Sequence, residues 1–126
     1  MSYTSVTHFS PGHLEWLKRM DFYEGEFDIL DKRLEEIVNK NNKEETVTWV
    51  ERFKNQFAMQ RNNIYELRRG IQELAGRVSE DAKNHAGKME TRFVREHRQL
   101  NDEIKDFEKI VNDLRHDFNV FLSNSM

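Results

Sequence analysis

The chain has no cysteine, one proline and five glycines. Without thiols there is no disulfide, no thiolate nucleophile and no zinc–thiolate site. So little proline and glycine suits long amphipathic helices better than sheets with tight turns. No apolar run approaches the ~20 residues that a membrane span needs. The first seven residues, Met1 to Thr7, carry no basic stretch followed by an apolar one, so no signal peptide is expected. The net charge of −3 gives no global attraction to nucleic acid or to an anionic membrane. These absences predict a soluble cytoplasmic protein with neither membrane nor nucleic acid as a partner.

What is present is regular. The 126 residues make one domain, 34% of them charged and 37% hydrophobic. The hydrophobic residues recur at helical spacing rather than being depleted, which argues against disorder. The last third carries Phe93, His97, Leu100, Ile104, Phe107, Val111, Leu114, Phe118 and Phe121, in alternating steps of four and three. That spacing places one apolar stripe along a helix, in the manner of a coiled-coil seam. A second stripe runs Val50, Phe53, Phe57, Gln60, Ile64, Leu67, Ile71, Leu74, Val78. A third runs Trp16, Met20, Tyr23, Phe27, Leu30, Leu34, Ile37.

The punctuation fits these stripes. Ser10-Pro11 suits a helix start, since proline's missing N–H costs nothing in a first turn. Asparagines cluster at Lys40-Asn41-Asn42, where the first stripe ends. The second stripe ends at Gly76 or near Gly87, and matching lengths selects Gly87. A turn at Gly76 leaves Val111, Leu114, Phe118 and Phe121 without opposing residues. A turn near Gly87 sets them against Val47, Val50, Phe53 and Phe57. The prediction is an all-α, elongated, up-down-up antiparallel three-helix bundle, with helices at about 12–40, 45–85 and 88–122 in a single domain spanning 1–126. Residues 1–11 are expected to pack on the bundle end. The first helix is the shortest, which leaves the Val78–Phe93 end thinly covered. Gly70 and Gly76 are expected to allow close helix approach there.

Chemical candidates are few. His8, His13 and His97 fall near one end and are the candidate metal ligands, with Glu90 or Glu96 as a further carboxylate. A di-iron bundle requires paired Glu-x-x-His motifs; Asp113 with His116 is the nearest match and has no mate. Arg92, Arg95 and Arg98 form a stripe on the third helix, and Arg61, Arg68, Arg69 and Arg77 lie on the second. Residues 52–77 hold six basic and two acidic side chains, and residues 1–51 hold six basic and eleven acidic. Such segregation reads either as a basic patch for an acidic partner or as charge pairing between helices. Trp49 stands beside the seam, half-buried, as interface tryptophans often are. No phosphate-binding glycine loop, nucleophile elbow or Ser/His/Asp spacing occurs. Neither a catalytic residue nor a cofactor is therefore assigned.

Two resemblances accompany this reading. His85-Ala86-Gly87-Lys88 resembles the His-x-x-Lys-Gly motif of histidine phosphotransfer domains over four residues, with Met89 where the motif has glycine. It implies phosphorylation of His85 within a helix. The predicted shape also resembles spectrin-type three-helix repeats, including a tryptophan early in the first helix. The expected function is a non-enzymatic helical interaction or scaffold protein that acts through helix-face contacts. It binds a protein partner or a second copy as a homodimer, with Trp49, Val78, Arg92, Arg95 and Arg98 as contact residues. The alternative is a small histidine-based metal-binding or phosphorelay bundle.

Overall fold

A computed structural model describes residues 3–5, 10–84 and 88–125. It is a three-helix bundle with α1 at Ser10–Lys40, α2 at Glu44–Asn84 and α3 at Thr91–Ser125. The 41 residues of α2 span about 62 Å at the usual rise per residue. Helix α2 packs against both α1 and α3. No helix among the described residues is long and apolar enough to cross a membrane.

The stripes face inward because their spacing returns each side chain to the same helix face. Trp16, Met20, Phe27, Leu34 and Ile37 of α1 are buried. So are Val50, Phe53, Phe57, Ile64, Ile71, Leu74 and Val78 of α2. In α3 the buried set is Phe93, Leu100, Ile104, Phe107, Val111, Leu114 and Phe118. Among the described residues three polar side chains are buried, His13, Thr46 and Gln60; Gln60, 8% exposed, lies within the α2 stripe, and its Oε1 accepts from Asn63 Nδ2 at 3.0 Å. An amide so placed disfavours shifted pairings more than it stabilises the correct one. Gln60→Leu should therefore hold or raise stability, by up to about 1 kcal/mol, because an apolar group of similar shape replaces a polar one. A thermal melt tests this; a clear fall in Tm would show that the amide contributes net stability.

The first turn is short. Asn41 N–H donates to Ile37 O at 2.8 Å, and Lys43 N–H donates to Asn41 Oδ1 at 3.1 Å. Val47 N–H then donates to Lys43 O at 3.0 Å and opens α2. Glu44 and Glu45 in its first turn complement the helix dipole. Thr46 is buried here and Val47 is exposed, contrary to the expected pairing of Val47 with α3. Four residues back from Val50 is Thr46, so helical geometry decides which side chain faces inward.

At the other end the sequence reading requires correction. Helix α3 begins at Thr91 rather than near 88, because Lys88–Glu90 forms a strand (β2) antiparallel to β1, Tyr3–Ser5. The register sets Tyr3 opposite Glu90, Thr4 opposite Met89 and Ser5 opposite Lys88. Ladder hydrogen bonds hold these residues extended and prevent an earlier helix start. Helix α2 passes Gly76 unbroken. A methyl group at Gly76 would meet nothing, and one at Gly70 would lie 3.7 Å from Leu100 Cδ1, an ordinary contact. Neither glycine is needed for close approach.

The charge segregation is used between helices. Arg61 Nη2 bonds to Asp28 at 2.7 Å and to Asp31 at 2.8 Å. Arg68 bonds to Asp21 at 2.8 Å and to Glu24 at 2.9 Å. The acids at 21, 24, 28 and 31 step three, four, three, so they form one flank of α1 turned toward basic α2. On the other flank Arg19 and Tyr23 bond to Glu108 of α3, and Glu26 pairs with Arg115 at 3.3 Å.

Candidate functional sites at the two ends

Trp49 is 43% exposed, although the seam beside it is buried. Its ring lies 6.2 Å from Phe53 and 6.4 Å from Phe121, and the Arg52 guanidinium sits 5.1 Å from its centroid. Phe53 and Phe118 meet edge-on behind it at 5.2 Å. The tryptophan is therefore held by a fixed aromatic cluster and still open to solvent. It lines a groove of about 750 Å³ between α2 and α3, at the first-turn end. Trp49, Phe53 and Gln56 line it from α2; Asp117, Phe121 and Asn124 line it from α3. Both triplets step four, then three. The groove thus carries the spacing that a further helix needs for packing.

Asp117 and Asn124 did not stand out in the sequence, and Phe121 stood out only as a seam residue. Phe121 is the last step of the α3 seam, and its place beside Trp49 follows once the antiparallel pairing of α2 and α3 is set. A second groove, about 680 Å³ between α1 and α2, is rimmed by Asp31, Glu35, Glu51, Lys54 and Arg61. Within its rim Arg61 pairs with Asp31, and its described lining offers no aromatic anchor.

The opposite end holds the histidines. His13 is 5% exposed, in the first turn of α1. Its ring lies 5.5 Å from that of His97 and 5.6 Å from Trp16, and Trp16 lies 4.5 Å from His97. Burial lowers the pKa of both imidazoles below the ordinary 6.5, and for His97 the neighbouring His13 lowers it further. His8, the third expected ligand, lies outside the described residues. Glu96, offered as a carboxylate ligand, bonds to Arg77 at 3.0 Å. Among the described residues no group of three ligating side chains is placed to hold a metal.

Val78 requires a correction. It was expected at a thinly covered surface, yet it is 2% exposed, as is Phe93 beside the strand pair. Both belong to the core. The arginine stripe divides by environment. Arg92 lies over the Phe93 ring at 4.8 Å, and Arg77 approaches the same ring at 5.9 Å. Arg95 and Arg98 are exposed on α3. His85 lies outside the described residues, α2 ends at Asn84, and Lys88 is in a strand rather than on the helix that the phosphotransfer motif requires.

Comparison with protein-family models, with curated proteins and with solved structures finds no match for this chain.

Proposed function

We propose that this protein is a non-enzymatic helical interaction module, and that a helix of another protein chain occupies the α2–α3 groove at Trp49. One observation carries this reading: a half-exposed tryptophan held by a packed aromatic cluster, in a groove whose two walls repeat at heptad spacing. Tryptophan is enriched among the residues that dominate interface energies, and packing behind it lowers the entropy lost on binding. The rim offers Lys43, Glu45 and Asp117, which suits a partner helix bearing charges of both signs. A second copy is one source of that helix and would make a homodimer.

The test uses Trp49→Ala and Arg95→Glu. Trp49→Ala leaves the buried seam intact, so its helical content should match that of the unaltered chain. Its affinity for the partner should fall by about thirtyfold or more, the loss expected of a central anchor. Arg95→Glu alters an exposed charge remote from the groove and should bind normally. Capture from host lysate with the three baits, alongside light scattering for self-association, reads both outcomes. Equal binding by all three, or loss confined to Arg95→Glu, would falsify the groove assignment.

A further inference from the structure

We propose that the helix received by the α2–α3 groove is α1 of a second copy, its outward face laid along an acidic stripe of α3; this rests on the groove being a helix site. Helix α1 is apolar on two faces. Besides its core stripe it carries Lys18, Phe22, Gly25, Ile29, Lys32 and Glu36, in alternating steps of four and three. All six are exposed, Phe22 by 52% and Ile29 by 59%. Such steps make a packing seam, here on the side away from the core. Gly25 stands between the two apolar residues, and a methyl group there would meet nothing within 4 Å. Glycine weakens a helix interior. No contact within the described chain requires it, and it leaves a hole between Phe22 and Ile29 for a partner's side chain.

Charge selects the occupant. Between residues 18 and 33 every acid of α1 is in an ion pair within the chain. Asp21 and Glu24 pair with Arg68, Asp28 and Asp31 with Arg61, and Glu26 with Arg115. Lys18, Lys32 and Arg33 have no ion pair among the described residues. The outward face of this acid-rich helix is therefore cationic. Helix α3 is the reverse. Glu103, Asp106, Ile110, Asp113, Asp117 and Val120 step three and four along it, all exposed. The four acids have no ion pair among the described residues. Asp117 and Val120 line the groove beside Trp49, and the stripe continues from them along the same edge of α3. Lys105 and Lys109 lie off it, toward the flank that meets α1 through Glu108 and Arg115.

The two seams lie on opposite sides of one bundle, so they meet only between copies, head to tail. A sideways shift of one copy keeps both at the same level, with α1 of one parallel to α3 of the other. Within the chain Tyr23 meets Phe107 edge-on, which fixes the level of α1 against α3. Equal rises counted from that pair put Lys18 beside Glu103 and Lys32 beside Asp117, with Ile110 between Phe22 and Ile29. Apolar residues then face apolar ones, and cations face carboxylates that otherwise have no counter-ion. A joined pair keeps one free seam at each end, so further copies add.

Light scattering of the purified chain is the test. The mass of the unaltered protein should rise above that of a monomer with concentration, and the rise should shrink as salt is added. One variant carries Lys18→Glu, Lys32→Glu and Arg33→Glu; a second carries Asp106→Lys, Asp113→Lys and Asp117→Lys. All six positions are exposed, so circular dichroism should match the unaltered chain. Each variant alone should associate at least about tenfold more weakly, because both of its seams now carry one sign of charge. Mixed in equal amounts, the two should associate again. A monomeric unaltered chain overturns the proposal, and so does a first variant that associates normally. If Trp49→Ala still loses a lysate partner in either case, the groove reading stands with another helix in it. Recovery in the mixture with normal association by Trp49→Ala supports the pairing of seams and places the failure in the groove reading. Should a variant lose its helix signal, the salt response of the unaltered chain decides: association that salt leaves unchanged overturns the proposal, and association that salt weakens supports it.

Discussion

Phe118→Ala should cost about 3–5 kcal/mol, the loss seen when a buried phenylalanine is truncated and its cavity does not collapse. Phe118 is fully buried. It meets Phe57 edge-on at 5.3 Å and Phe53 edge-on at 5.2 Å, and Phe121 stands 6.2 Å away. Removing the ring therefore deletes several aromatic pairs as well as buried area, and edge-on pairs add about 0.5–1.5 kcal/mol each beyond area. Three long helices meet at this level, so no single side chain can swing in to fill the space. Chemical denaturation should show the midpoint falling with the slope unchanged. A loss under about 1 kcal/mol is the size of a surface substitution and would remove Phe118 from the core. The same variant should weaken binding at the Trp49 groove, because Phe53 and Phe121 would lose their backing.

Glu108→Ala should cost about 2 kcal/mol, the upper range for hydrogen bonds to a charged group. Glu108 is the one carboxylate that accepts from both Arg19 and Tyr23, the latter at 2.6 Å. Its loss leaves a half-buried phenol and a guanidinium without their acceptor. A second signal separates this account from general destabilisation. Burial, then the hydrogen bond and negative charge of Glu108, push the Tyr23 hydroxyl up to about 12. Without Glu108 that value should fall toward 10 but remain above it, since burial persists. Ultraviolet titration of the phenolate reads it. An unchanged Tyr23 titration in a folded variant would mean that the contact contributes nothing.

Much of the core was legible because period and burial are the same physical fact on a helix. Met20, Phe27, Ile64, Ile71, Ile104 and Val111 could be placed by counting fours and threes. Half-exposed seam residues such as Tyr23, Leu30 and Leu67 lie on flanks, where the stripe drifts from the axis of contact. The strand pair was not legible. Three residues leave no period, and Tyr3–Ser5 finds its partner in Lys88–Glu90 through tertiary proximity alone. Val47 misled because it is apolar at a position whose angle points outward, while Thr46 turns inward. The Trp49 groove was half legible: the tryptophan stood out, but its wall on α3 required the register between two helices. The ion pairs of Arg61 and Arg68 followed from charge counts only in sign, since which acid each arginine reaches depends on that same register.

The pairing of Tyr3 with Glu90 joins residues 87 positions apart. In an unfolded chain, closing a loop of that length costs about 4 kcal/mol of chain entropy, apart from a constant. A two-stranded ribbon of three residues each cannot offset that by itself. Once the helices have assembled, however, their packing has already brought the two segments together, and the remaining cost is small. The ribbon is thus a late addition to the folding route and an early loss from it. Its protection against amide exchange should report the integrity of the α1–α3 end while registering almost nothing about the aromatic end some 50 Å along the bundle, a distance of about 33 helical residues.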